Sequence, residues 1–233
     1  MQMKRNDASP VIFANDLTRM YTMGKNSVVG VKGIDLNIRD GELVVLKGNS
    51  GSGKSTLLSM LAGLDRPTSG KLHVAEYNLS TPSNQDLTRF RREVVGMVFQ
   101  AFNLLPTLSV LENVCLPALL AGQSYQQSRV KGAKLLEWLG MGRRIDHLPA
   151  QLSGGEMQRT AIARALINDP EIILADEPTG NLDSRNGRVV IDLLQKLNQE
   201  MHRTILIATH SGLADAMAST IIRLKDGRIA EAA

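Results

Sequence analysis

No stretch of this chain says more than Gly48-Asn49-Ser50-Gly51-Ser52-Gly53-Lys54-Ser55. It matches G-x-x-x-x-G-K-[ST]. Before it lies an apolar run, Leu43–Leu46, and after it Leu57, Leu58, Leu61 and Leu64 share one helical face. Strand, glycine-rich turn and helix are the context in which this pattern cradles phosphate. Glycines let the backbone bend so that successive N–H groups aim at one anion, and the opening of the helix Lys54–Leu64 adds the positive end of its dipole. Lys54 would reach the outer phosphates of a nucleotide, and the Ser55 hydroxyl, with Thr56 beside it, would ligate Mg²⁺.

Outward from this loop, Val11–Ala14, Ile34–Ile38, Ile172–Ala175 and Thr204–Thr209 are further short apolar runs. Continuous rather than alternating apolarity suggests strands covered on both faces, as in parallel sheets. Between them lie helical patterns, including Val189, Leu193, Leu197 and Met201. The alternation indicates an α/β fold. Residues 101–151 differ: they hold helical patterns over Leu104–Leu120 and Val130–Leu139 and no clear strand, and read as a helical insert.

Two more motifs carry chemistry. Ile172–Ala175 ends in Asp176 and Glu177, and ligand chemistry in open α/β sheets collects at the carboxyl ends of strands. Asp176 would hold Mg²⁺ directly or through water, and Glu177 would be the general base toward an attacking water. Leu152-Ser153-Gly154-Gly155-Glu156 contains an S-x-x-E capping box, so Ser153 should cap a helix. Two glycines in a first helical turn are unfavourable, and close approach of an anion to bare N–H groups is one reason to keep them.

In this order, Gly48–Ser55, Gln100, Leu152–Glu156, Asp176–Glu177 and His210 resemble the motifs of the ATP-binding-cassette (ABC) ATPases over about residues 10–230. The resemblance implies a phosphate-loop fold with a mostly parallel core and an N-terminal antiparallel β subdomain. One domain would span 10–230, with 10–100 and 156–230 as the core and 101–155 as the helical insert that carries the signature motif. It implies ATP and Mg²⁺ as cofactors, with Ser55, Gln100 and Asp176 as the metal set. Glu177, His210 and Gln100 would be catalytic. Tyr21 would stack on adenine, and Gly48, Asn49, Ser50, Gly51, Ser52, Gly53, Lys54, Ser55 and Thr56 would hold the phosphates. Ser153, Gly154, Gly155, Glu156 and Gln158 would belong to a signature that reaches nucleotide bound to a partner. Asn181, Leu182 and Asp183 would form a loop crossing that interface. The implied partner is a second copy of the chain in a head-to-tail, ATP-dependent dimer.

Two positions depart from the family pattern. Lys47 stands where a small or apolar residue is usual, and is expected to lean outward with its stem packed. Ser211-Gly212 follows His210 where many relatives have Asp.

Finer resemblance, through Ala62–Gly70, Phe102–Leu108 and Ala175–Asp183, is to the lipoprotein-release and macrolide-export ATPases. That implies an integral membrane permease as a second partner, with apolar residues of 101–120 lining the groove that receives it. The expected location is cytoplasmic, at the inner face of the membrane. The alternatives are a nucleotide-gated scaffold without transport, or an ATPase acting on nucleic acid.

Composition narrows these classes. The chain has 233 residues, 43% of them hydrophobic and 21% charged, which disfavours disorder, collagen and coiled coil. Cys115 is the only cysteine, so no intrachain disulfide forms. Met1–Pro10 is polar and has no apolar core of a signal peptide. No apolar run approaches the roughly 18 residues of a membrane span. A formal charge of +4 permits anionic partners without arguing for them, and no nucleic-acid partner is expected. His73, His147 and His202 show no zinc-ligand spacing.

Overall fold

The chain is described from a computed structural model covering residues 10–24 and 26–232; the polar segment 1–9 lies outside the described residues. The elements run β1 (Ile12–Met23), β2 (Asn26–Ile38), β3 (Leu43–Lys47), α1 (Lys54–Leu61), β4 (Ser69–Val74), β5 (Tyr77–Asn78), α2 (Asn84–Glu93) and β6 (Val95–Val98). Next come α3 (Val110–Leu120), α4 (Tyr125–Trp138), α5 (Gly154–Leu166), β7 (Ile172–Asp176) and α6 (Ser184–Met201). The chain closes with β8 (Thr204–Thr209), β9 (Thr220–Lys225) and β10 (Arg228–Ala232).

Two sheets result. One is antiparallel, in the order β2-β1-β4-β5. The other has the order β10-β9-β3-β8-β7-β6 and is parallel except at β10. β3 sits between β8 and β9, so it lies inside the sheet with partners on both edges. Its alternate side chains enter different cores. Val44 and Leu46 join the cluster shared with α1 and the antiparallel sheet, while Leu43 and Val45 join the one under α3, α5 and α6. This is why the strand is apolar without alternation.

Helix ends differ from the periodicity where a local interaction intervenes. α1 stops at Leu61 rather than Leu64, because Gly63 takes φ +63° and turns the chain; Leu64 is left 52% exposed. α3 starts at Val110 rather than Leu104. Ser109 caps it, and the buried Asn113 amide ties down the preceding loop by bonding the backbone of Leu105 and Leu108. The polar α2 was hidden from a search for apolar runs. It buries only Leu87 and Phe90 and is capped by Ser83 with Asp86. Between β6 and β7 the regular elements are helices and short 3-10 turns, as the composition of that segment suggests.

Phe90 is fully buried, with its ring 5.4 Å from that of Tyr77. Phe90→Ala should lower unfolding free energy by about 3–5 kcal/mol. Urea denaturation checks this: the midpoint falls while the slope stays constant.

Candidate functional site

The loop between β3 and α1 is shaped by glycines in left-handed conformations that strain any other residue. Gly51 has φ +77° and Gly53 φ +102°. A Cβ on Gly53 would lie 2.6 Å from the Gly30 carbonyl oxygen, so the loop packs directly against β2. Lys54 is only 7% exposed. Its ammonium donates to the carbonyls of Gly48 (2.8 Å) and Asn49 (3.3 Å) and lies 3.6 Å from Glu177 Oε1. A cavity of about 700 Å³ opens over the loop. Its walls are residues 49–56 with Tyr21, residues 28–30, Gln100, Glu177 and His210. Gly48 lies at the loop's base, where a Cβ would collide with Ser52 Oγ and the Leu224 carbonyl.

The acidic pair comes from the end of β7. Burial raises the Asp176 carboxyl above its ordinary range, against opposing effects of the Ser55 hydroxyl and the Lys54 charge. Asp176 Oδ1 is buried and has no hydrogen-bond partner among the described residues. An orphaned carboxylate oxygen beside a serine hydroxyl suits a hard divalent cation. Glu177 adopts φ +45°, a left-handed conformation that costs a non-glycine residue about 1 kcal/mol or more. Two backbone bonds hold it there: its N–H donates to Ala208 and its carbonyl accepts from Gly180. Its carboxylate meets His210 Nδ1 at 3.0 Å and the His210 N–H at 3.4 Å. The His210 ring is otherwise open, with 68% of the side chain exposed.

Ser153 caps α5 as its motif requires. Its Oγ accepts from the Glu156 N–H, and Glu156 Oε2 accepts from both the N–H and the hydroxyl of Ser153. Arg144 adds a bond at 2.9 Å to the other carboxylate oxygen. The Ser153 N–H first, then its hydroxyl and Arg144, hold the Glu156 carboxyl at about 2, despite partial burial. Ser153, Gly154, Gly155 and Glu156 take no part in the 700 Å³ cavity.

The protein-family model for the ABC transporter matches residues 31–180. This chain belongs to the ABC transporter family. The cassette is 46% identical over 220 residues to the macrolide export ATP-binding/permease protein MacB of Hyphomonas neptunium, covering 94% of this chain but 34% of that protein. It thus spans about a third of the MacB relatives' length. It is 44% identical to the uncharacterized ABC transporter ATP-binding protein YbbA of Escherichia coli, over 97% of this chain and 99% of that one. A dimeric, post-hydrolysis structure of the ATP-binding cassette MJ0796 bound to ADP and Pi matches with TM-score 0.88 and 40% identity, over 95% and 97% of the two chains. This chain is therefore an ABC-type ATPase cassette.

The fold brings Tyr21, residues 49–56, Gln100, Glu177 and His210 of the cassette around one cavity and places Asp176 against its floor. The signature residues and the 181–183 loop lie outside that cavity. Gln158 is fully buried, and neither amide atom has a hydrogen-bond partner among the described residues. Gly155 is also required by packing, because a Cβ there would lie 2.5 Å from Asn186 Oδ1 on α6. Asp183 caps α6 by accepting from the Asn186 N–H, Leu182 packs beside Gly154, and the Asn181 amide donates to the Gln100 carbonyl. Lys47 does not lean outward. Its side chain is 11% exposed and pairs with Asp215.

Sequence reading also missed Arg19 and Asp65. The Tyr21 hydroxyl donates to Asp65 Oδ2 at 2.7 Å, and Arg19 bonds the same carboxylate while lying 4.5 Å over the Tyr21 ring. No spacing links residues 44 apart, so nothing in the motif pattern could have revealed this support.

The Glu156 carboxyl sits lower in the folded than in the unfolded chain, so its stabilisation is full above pH about 4.5 and fades as pH falls toward 2. Urea unfolding between those values should show wild type losing stability more steeply than Glu156→Gln. Parallel curves would contradict the bond network.

Proposed function

We propose that this cassette hydrolyses ATP as a dimer to drive a membrane permease of the lipoprotein-release and macrolide-export type. One observation carries the reading: Lys54, Glu177 and His210 line a single cavity of about 700 Å³ over the glycine-rich loop, with Asp176 beside Ser55 and the capped Ser153 outside it. In this reading Tyr21 faces the adenine, and the loop N–H groups with Lys54 take the phosphates. Ser55, Asp176 and Gln100 would hold Mg²⁺, which when bound neutralises charge on the phosphates. Glu177, already bonded to His210, accepts the proton of the attacking water. Ser153 and Gly155 serve the nucleotide of a second, head-to-tail copy.

The partition into a core of 10–100 and 156–230 with an insert of 101–155 fits the same reading. A second cavity, of about 270 Å³, lies where these parts meet. Leu64, Met97, Phe99 and Pro117 give it apolar walls, and Arg91, Arg92 and Arg164 a basic rim. It suits a short permease helix. No helix among the described residues is long and apolar enough to cross a membrane. We place the cassette at the cytoplasmic face of the membrane, held there by the permease.

Glu177→Gln should lower ATP turnover by about 10²–10⁴-fold and trap an ATP-bound dimer visible by gel filtration. Normal turnover in that variant would sink the assignment of the base. Lys54→Ala should weaken ATP binding about tenfold or more in calorimetry. With the trapped Glu177→Gln dimer as bait, solubilised membranes should yield a permease with few spans and a large external domain. Recovery of only soluble or nucleic-acid-bound partners would overturn the transport reading.

A further inference from the structure

The two departures from the family pattern, Lys47 and Ser211-Gly212, are in contact. Lys47 ends β3, one residue before the phosphate loop, and its Cα is paired with that of Thr209 on β8. By strand alternation its side chain leaves from the face that carries Leu43 and Val45. There it meets the loop that follows His210. Lys47 Nζ donates to the Ser211 carbonyl at 2.7 Å and to Asp215 at 2.8 and 3.0 Å. The same loop is held at its far end by Ser219, whose N–H and hydroxyl donate to the Leu43 carbonyl at 2.8 and 2.9 Å. Between these ties the loop is bonded within itself, with a 3-10 turn at Asp215–Met217 and N–H groups of Asp215 and Ala218 donating to the carbonyls of Gly212 and Asp215. Gly212 follows Ser211, and local bonds run from the Ser211 N–H to Thr209 and from the Leu213 N–H to Ser211 Oγ.

We infer that Lys47 is a positioning residue for hydrolysis, a strut that fixes the switch loop from the strand carrying the phosphate cradle and so aims His210 at Glu177. The physical case rests on burial and charge. A lysine with 11% of its side chain exposed keeps its ammonium there only if the charge is met, and here one carboxylate and one carbonyl meet it. Both acceptors belong to the switch loop, so loop and strand cannot separate without stranding that charge. The Ser211 carbonyl is one peptide away from His210, so the strut acts next to the residue it aims. The Ser211 hydroxyl and the Asp215–Met217 turn order the loop from within, but its tie to β3 beside His210 comes from Lys47. Lys47 touches neither the cavity over the phosphate loop nor Glu177, and its influence on the reaction passes through His210.

The inference rests on His210 and Glu177 forming the hydrolytic pair, whose own failure would show separately as normal turnover in Glu177→Gln. The test is a double-mutant cycle on the purified chain, read by single-turnover and steady-state ATP hydrolysis. Lys47→Met keeps the stem and removes the charge. It should lower kcat about tenfold while KM for ATP stays within about twofold. Lys47→Arg should recover most of the rate, and Asp215→Asn should reproduce a milder form of the loss. In a His210→Ala background, Lys47→Met should have almost no further effect, because the residue it aims is gone. An equal fall in both backgrounds would overturn the inference, as would a rise in KM with kcat unchanged, which would place Lys47 on the phosphate loop instead. If Lys47→Met unfolds, the same cycle run with Asp215→Asn decides on the same criteria.

Discussion

The buried ammonium of Lys54 organises the molecule. It bonds two carbonyls of its own loop and faces Glu177 from 3.6 Å, joining the end of β3, the start of α1 and the end of β7. A charge 7% exposed must be compensated, so the distances between these elements are not free to drift. The close seat of Gly53 on the Gly30 carbonyl adds a steric limit from the antiparallel sheet. Together these hold the cradle between both sheets.

The parallel sheet then delivers the remaining chemistry. β3, β7 and β8 are adjacent and run in the same direction, so their carboxyl ends emerge side by side. Those ends carry Lys47 with the phosphate loop, Asp176 with Glu177, and His210. Glu177 carries backbone strain at the site itself, where its φ is positive and its carboxylate meets His210. Apolar packing on both faces of the sheet supports that strain, since Leu46, Leu174 and Leu206 on one face and Val45, Ala175 and Ile207 on the other are fully buried.

How much of this could be read in advance followed from the range of the signal. The phosphate loop, the acidic strand end and the Ser153 cap are contiguous runs whose chemistry follows from neighbours in the chain. Their loop, strand-end and cap geometry emerged as read, and so did the strands that carry them. α2 escaped because a helix with two buried residues has almost no apolar signal. The start of α3 was misplaced because Asn113, a polar residue, spends its amide on the loop before it. The burial of Gln158 could not be read because a motif does not say which face of its helix is covered.

Residue order by itself determined the phosphate cradle, the carboxylates at a strand end, the helix caps and the two-faced strands, since each depends on periodicity or on groups a few residues apart. Only the tertiary structure decided that Asp65 and Arg19 brace Tyr21, that Asn186 dictates glycine at 155, and that Lys47 grips the loop beyond His210. Apart from that of Arg19 with the nearby Tyr21 ring, those contacts join residues from 31 to 168 positions apart, and what brings them together is the packing of whole elements. Local sequence carries no trace of a partner that arrives from another strand or helix.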